Sequence, residues 1–203
     1  AGILGALGTL AALMQRWNSG KGQRVDTSLF EAGIVHTYWQ SAICFATGVS
    51  PGPMGSAHPL NAPYQSLQTE DGWINVGAAN ERNWERMVEA VGSPKLAKDS
   101  RFGDNYGRMV NRKELEEELN RIFRTRKTTA WLECLEEAGV PAGPVLSIDE
   151  MHRHEQTLAR EMVTEVKHPR EGKAPTIGLP IKLSGTPGGI HRPSPLFGEH
   201  TRE

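Results

Sequence analysis

The chain opens on a nearly continuous apolar run that lasts until Gln15 and Arg16. Such a run predicts a buried helix over residues 1–17. Gly2, Gly5 and Gly8 recur every third residue, so they share roughly one face and allow another backbone to approach closely. Each glycine costs a helix about 1 kcal/mol relative to alanine, and tertiary packing has to offset that. Asn18-Ser19-Gly20-Lys21-Gly22 then supplies the chemistry of a helix end. Alternation of Val25, Thr27 and Leu29 predicts a short strand over 23–29. A second helix, aromatic and apolar and therefore buried, is predicted over 30–47.

Residues 48–63 (GVSPGPMGSAHPLNAP) interrupt the periodicity with glycine and proline and form an irregular connection. Two alternating runs, 64–69 and 73–76, flank Glu70-Asp71-Gly72 and predict a hairpin. Helical spacing places Trp84, Met87, Val88 and Val91 on one inward face of a helix over 80–91, with Asn80 as its N-cap. A further helix over 112–123 carries Leu115, Leu119, Ile122 and Phe123 inward. Another, over 128–138, has Thr128 or Thr129 as N-cap and Gly139 just past its end. The segment Pro141-Ala142-Gly143-Pro144-Val145 enters an extended stretch. Residues 147–161 hold one more helix, with Asp149 and Glu150 favouring its first turn. Extended runs follow at 162–168 and 176–183. The proline-punctuated end, GTPGGIHRPSPLFGEHT, reads as a segment lying over another surface. No internal repeat or low-complexity tract is present. These elements describe a mixed α/β chain with a helical sub-domain.

Composition narrows the class of protein. The 203 residues carry a formal charge of −1, so no global basic field points to nucleic acid or an anionic membrane surface. The opening run of about 14 residues is too short to span a bilayer. It also lacks the basic start and cleavage site of a secretory signal. The two cysteines, Cys44 and Cys134, stand far apart without a partner motif and read as buried thiols in a reducing compartment. A hydrophobic helix that begins at Ala1 without a methionine reads as the start of a fragment.

The chemical motifs are mostly negative. Gly20-Lys21 lacks the other positions of a phosphate-binding loop. His152 and His154 are two apart on a predicted helix and face different sides, and no HExxH or Cys-x-x-Cys is present, so no metal site is expected. No GxSxG elbow occurs. Glu116, Glu117 and Glu118 read as a solvated helix face. Arg121, Arg124, Arg126 and Lys127 complement a helix C-terminus, with phosphate contact as the alternative. Gly55, Ser56, His58, Pro59 and Asn61 belong to a polar loop that is either a surface linker or an active-site flap.

Taken in order, several short motifs resemble the family III CoA-transferases, the carnitine/bile-acid (CaiB/BaiF) family. They are ALGTLAALMQRWNSGKGQRVDTSL, Ala62-Pro63-Tyr64, Glu70-Asp71-Gly72, and Asn80 with Trp84. Then come Asp99-Ser100-Arg101-Phe102, Asn105, Arg108, Asn111-Arg112 and Trp131. The series closes with GVPAGPV, Ala159-Arg160, Ser184-Gly185-Thr186-Pro187 and Gly198-Glu199-His200-Thr201. The resemblance implies transfer of CoA from an acyl-CoA donor to a carboxylic acid through an aspartyl-CoA thioester. Coenzyme A and its acyl thioester are then substrates, and no prosthetic group is implied. It implies an interlocked homodimer, located in the cytoplasm or, in a eukaryote, the mitochondrial matrix.

The fold so implied has a Rossmann-like large domain, of which 1–47 are a remnant, a linker or flap at 48–63, a small α/β domain at 64–166, and a return linker with C-terminal extension at 167–203. The nucleophilic aspartate falls just upstream of Ala1, so this chain alone is expected to be inactive. Leu29 resembles a position lining the thioester pocket in oxalate-specific members. Gly55, Ser56, Ala57 and His58 fall where those members carry a glycine-rich flap. A single glycine here implies a stiffer flap. Asn80 stands where the related α-methylacyl-CoA racemases carry a glutamate, which favours transferase over racemase. A non-catalytic interaction module is the third reading.

Overall fold

The computed structural model describes residues 1–201. Two units separate by backbone packing. One comprises Ala1–Gln65 and Gly77–Glu118, the other Ser66–Val76 and Leu119 onward. The first is built almost wholly of helices and the second combines helices with short antiparallel strands, so the fold class is mixed α/β as the periodicity predicted.

In the first unit α1 (Gly2–Ser19) forms as expected and ends on Gly20 in the left-handed region, φ 72°. Its expected burial does not hold: none of its residues is buried, and Ile3 is 86% exposed. What approaches its glycine face is the irregular segment 21–28. A Cβ on Gly8 would sit 2.9 Å from Val25 Cγ1, and one on Gly5 3.7 Å from Thr27 Cγ2, whereas Gly2 has nothing within 4 Å. The strand expected over 23–29 is therefore absent. Val25 and Thr27 alternate as a strand would, but they use that alternation on the helix, and among the described residues no strand pairs with their backbone.

Ser28 caps α2 (Leu29–His36), accepting from the Glu31 N–H at 3.1 Å. The single buried helix expected over 30–47 is two helices. It breaks at Thr37, whose φ of −91° and ψ of 14° leave the helical region, and resumes as α3 (Tyr38–Thr47). Only Ala32 of the pair is buried.

The helix α4 (Glu81–Ala90) matches its expectation. Asn80 Oδ1 accepts from the Asn83 N–H at 2.8 Å, and Trp84, Met87, Val88 and Val91 are buried. Three short elements escaped the periodicity because they are too brief to show one: α5 (Pro94–Lys98), a 3-10 turn at Ser100–Phe102, and α6 (Asn105–Val110). Local caps define them instead. Asp99 accepts from the Arg101 N–H, and Asp104 accepts from the Gly107 N–H at 2.7 Å. The first half of α7 (Arg112–Phe123) contributes buried Leu115.

The second unit centres on a sheet of order β1 (Tyr64–Gln68), β2 (Trp73–Gly77), β3 (Ala142–Pro144), of which the end residues Tyr64, Gln65 and Gly77 count with the first unit. The expected hairpin is β1–β2. The proline-rich run supplies the third strand, antiparallel to β2, with Val76 opposite Ala142 and Ile74 opposite Pro144. Leu67, Ile74, Val76, Leu119, Phe123, Trp131, Leu135 and Val140 form this unit's core. Ile122, expected inward, is half-buried.

The start of α8 (Thr128–Glu137) corrects another expectation. Its N-cap is Lys127 without a side-chain bond, and neither Thr128 nor Thr129 serves. The cap comes from the hairpin turn: Asp71 Oδ1 accepts from the Thr128 N–H at 2.8 Å and from its hydroxyl at 2.9 Å. At the other end, Val140 N–H donates to Leu135 O and Gly139 N–H to Glu136 O, with Gly139 at φ 65°. This paired closure, with buried Val140 and Leu135, turns the chain from helix into β3.

The single helix expected over 147–161 divides at His154 into α9 (Ile148–Arg153) and α10 (Glu155–Ala159). A two-stranded hairpin follows, β4 (Val163–His168) with β5 (Gly172–Ile177). The second strand begins earlier than the run at 176–183 suggested. Gly172 at φ 72° closes the turn directly after His168, whose Nδ1 accepts from the Arg170 and Glu171 N–H groups. Neither Cys44 nor Cys134 is in a disulfide, and both are half-buried rather than fully buried as expected. Of the basic cluster, Arg124 donates to Gln68 Oε1 at 3.1 Å and Arg126 lies over the Trp131 ring.

Candidate functional site

The glycine–proline connection that follows α3 leads into a constrained loop end within the first unit. Gly55 adopts φ 60°, and Ala57 N–H donates to Met54 O at 3.1 Å, closing a turn over the flap candidates Gly55 and Ser56. His58, next along, is the best-anchored member. Its N–H donates to Tyr64 O at 2.9 Å, and its Nδ1 accepts from the Leu60 N–H at 3.1 Å. The ring sits edge-on between Trp39 of α3, centroid 4.6 Å away, and Tyr64 of β1, 5.3 Å away.

Two residues of α6, one turn apart, hold the backbone that follows. Asn105 Oδ1 accepts from the Ala62 N–H at 3.0 Å while its Nδ2 donates to Leu60 O at 2.9 Å. Arg108, fully buried, donates from Nε to Ala62 O at 2.7 Å. Its other four hydrogens go to Phe102 O, Ala79 O and both carboxylate oxygens of Glu81. The guanidinium also lies 4.9 Å over the Trp84 ring. All five donors of the planar fork are thereby satisfied, the condition for burying a charged group. The Ala62–Pro63 peptide, which is cis, lies inside this grip.

Asn80 belongs to the same cluster through its neighbours. Ala79 and Glu81 on either side bond Arg108, and the Asn80 side chain itself is used in capping α4. Leu29 stands apart: it opens α2, is 82% exposed, and shares no hydrogen bond or ring contact with the others among the described residues. Asp99, beneath the 3-10 turn whose Phe102 carbonyl Arg108 uses, has its carboxyl pulled down to about 2. The Arg101 side chain is the main cause and the Arg101 N–H the next.

Arg108, Asn105, Glu81, Trp39 and Tyr64 organise this site, yet none is a site candidate on sequence. The signal existed in the three-residue spacing of Asn105 and Arg108, but Gly107 between them argues against a helix and hides it. The chemistry on offer is recognition and orientation: a ring and backbone amides fixed at the end of a loop. Among the described residues no cluster of His, Cys, Asp and Glu has the makings of a metal site. No helix among them is long and apolar enough to cross a membrane.

Comparison with known proteins supplies the context. The family model of CoA-transferase family III matches residues 1–201. The chain is 32% identical over 194 residues to the mouse (Mus musculus) succinyl-CoA:glutarate CoA-transferase, an alignment that covers 95% of the chain and 44% of that protein. It is 32% identical over 193 residues to the acetyl-CoA:oxalate CoA-transferase of Acetobacter aceti, covering 95% and 48%. The crystal structure of a CaiB/BaiF family protein from Brucella suis superposes with a TM-score of 0.81 at 32% identity, covering 98% of this chain and 51% of that one. The chain thus spans about half the length of the relatives it matches.

Proposed function

We propose that this chain, which belongs to CoA-transferase family III, works as part of a larger protein that moves CoA from an acyl-CoA to a carboxylic acid. The carrying observation is the family match across residues 1–201, joined to 32% identity with two proteins named for CoA transfer. In this reading the nucleophile is an aspartate just before Ala1. Its carboxylate attacks the thioester carbonyl and expels the CoA thiolate, leaving a mixed anhydride. The thiolate then attacks the aspartyl carbonyl, the first acid departs, and an aspartyl-CoA thioester remains for the acceptor carboxylate.

Leu29, Gly55, Ser56, Ala57, His58 and Asn80 are the pocket residues this chain contributes. Residues 1–47 are a remnant of the large domain, 48–63 form the linker or flap loop, 64–166 the small domain, and 167–203 the return linker and extension. Two subunits interlock, the substrates are CoA thioesters and acids with no prosthetic group, and the protein works in the cytoplasm or mitochondrial matrix. Asn80, whose side chain caps α4, stands where the related racemases carry a glutamate, and that departure favours transferase over racemase.

Hydroxylamine trapping tests this reading. Intact protein treated with succinyl-CoA and then hydroxylamine is expected to carry a hydroxamate on the aspartate preceding Ala1. Absence of any adduct, with the donor consumed or not, overturns it. Ordinary turnover by the 203-residue chain alone overturns the placement of the nucleophile.

A further inference from the structure

Among the described residues one ring nitrogen of His58, Nδ1, has partners and Nε2 has none, and the first fixes the chemistry of the second. Nδ1 lies 3.1 Å from the Leu60 amide nitrogen and 3.3 Å from Asn61 Nδ2. A backbone amide can only donate, so Nδ1 accepts and the neutral ring carries its hydrogen on Nε2. Among the described residues no nitrogen or oxygen pairs with Nε2.

The ring has little freedom to move. Trp39 and Tyr64 hold it edge-on, at interplanar angles of 81° and 67°. The main chain is pinned on one side by Tyr64 O and on the other by Asn105, which brackets Leu60 and Ala62. Trp39, Tyr64 and Asn61, the side chains packed on it, are all uncharged, so none of them competes as an anion for its hydrogen.

We infer that His58 Nε2–H is a specificity-determining donor to a carboxylate or acyl carbonyl oxygen of the transferred acid, with Asn105 as the positioning residue that keeps the ring in register. This rests on the CoA-transfer reading and adds to it which atom of this loop recognises the acid. A fixed neutral donor takes an acceptor oxygen without a charge to desolvate, which suits an acid that arrives charged and leaves as a thioester.

Two measurements test it. Long-range 1H–15N correlation on this chain is expected to show His58 with an unprotonated Nδ1 and a protonated Nε2; the opposite tautomer overturns the inference. In the intact protein, His58→Gln keeps an amide donor near the Nε2 position, and His58→Asn reaches only as far as Nδ1. His58→Asn should lower kcat/KM for the acid roughly ten- to hundred-fold while inhibition by a CoA analogue lacking sulfur is unchanged. His58→Gln should restore most of the loss, and Asn105→Ala should raise the KM for the acid with a smaller effect on kcat. Equal loss in His58→Gln and His58→Asn, tracking thermal stability, assigns His58 a structural role and overturns the inference. So does wild-type kcat/KM in His58→Asn. Wild-type protein that transfers no CoA sinks the CoA-transfer reading instead, and the tautomer measurement separates the two failures.

Discussion

Arg108 and Glu81 form an ion pair whose partners live in different media: Nη2 and Oε1 are 2.8 Å apart, yet the arginine side chain is 0% exposed and the glutamate 53%. The pair is unequal in what each member supports. Glu81 has water as an alternative partner, whereas the carbonyls of Ala62, Ala79 and Phe102 all depend on the one guanidinium. Replacing Arg108 with methionine should therefore cost about 3–5 kcal/mol, because buried carbonyls lose their donors. Glu81→Ala should cost about 1–2 kcal/mol, since its half-exposed site lets water reach the arginine. Urea denaturation of both variants checks this, and equal costs would contradict it.

Acid sensitivity follows from Asp99 and Asp71. Asp99 is held at about 2 against an ordinary value of 3.8, chiefly by the Arg101 side chain. Asp71 is lowered in the same direction by the backbone N–H and hydroxyl of Thr128. A folded-state value below the unfolded one means stability that is fully present above about pH 4 and is lost as pH falls toward 2. Melting curves of wild type and Asp99→Asn should differ most above pH 4 and converge near pH 2. A difference that widens on acidification would refute the assignment.

Gly8 and Gly2 should respond oppositely to alanine. A Cβ at Gly8 meets Val25 Cγ1 at 2.9 Å, while one at Gly2 meets nothing within 4 Å. Gly8→Ala should loosen segment 21–28, read as faster amide exchange at 23–27. Gly2→Ala should be neutral or stabilising by up to about 1 kcal/mol. Unchanged exchange in Gly8→Ala would show that the segment adjusts without loss.

Among the described residues Glu161 is the one non-glycine residue at positive φ, 53°, at the closure of α10. Its Met162 neighbour donates to Thr157 O, the closure that usually carries glycine. Glu161→Gly should relieve about 1 kcal/mol of backbone strain. Loss of the exposed 3.3 Å pair with Lys182 offsets a part of that gain. Thermal unfolding should show a small net gain, and a net loss would mean the ion pair outweighs the strain.

Local rules carried much of the fold. The hairpin around Glu70-Asp71-Gly72, the helices α4 and α7 with their inward faces, the cap at Asn80 and the turn at Gly139 all depend on neighbours within a few residues, so periodicity and capping chemistry sufficed. The ordered motifs also determined the family. Tertiary structure decided the rest, where a residue's partner lies far along the chain. Val25 and Thr27 alternate as a strand but pack on a glycine face. The first turn of α8 is capped by Asp71, 57 residues away. Arg108, in a helix too short to read, reaches partners 27, 29 and 46 residues distant. Nothing near His58 in sequence shows its ring held between Trp39 and Tyr64. Spacing reports what is adjacent on one element, and hydrogen bonds to distant carbonyls leave no periodic trace.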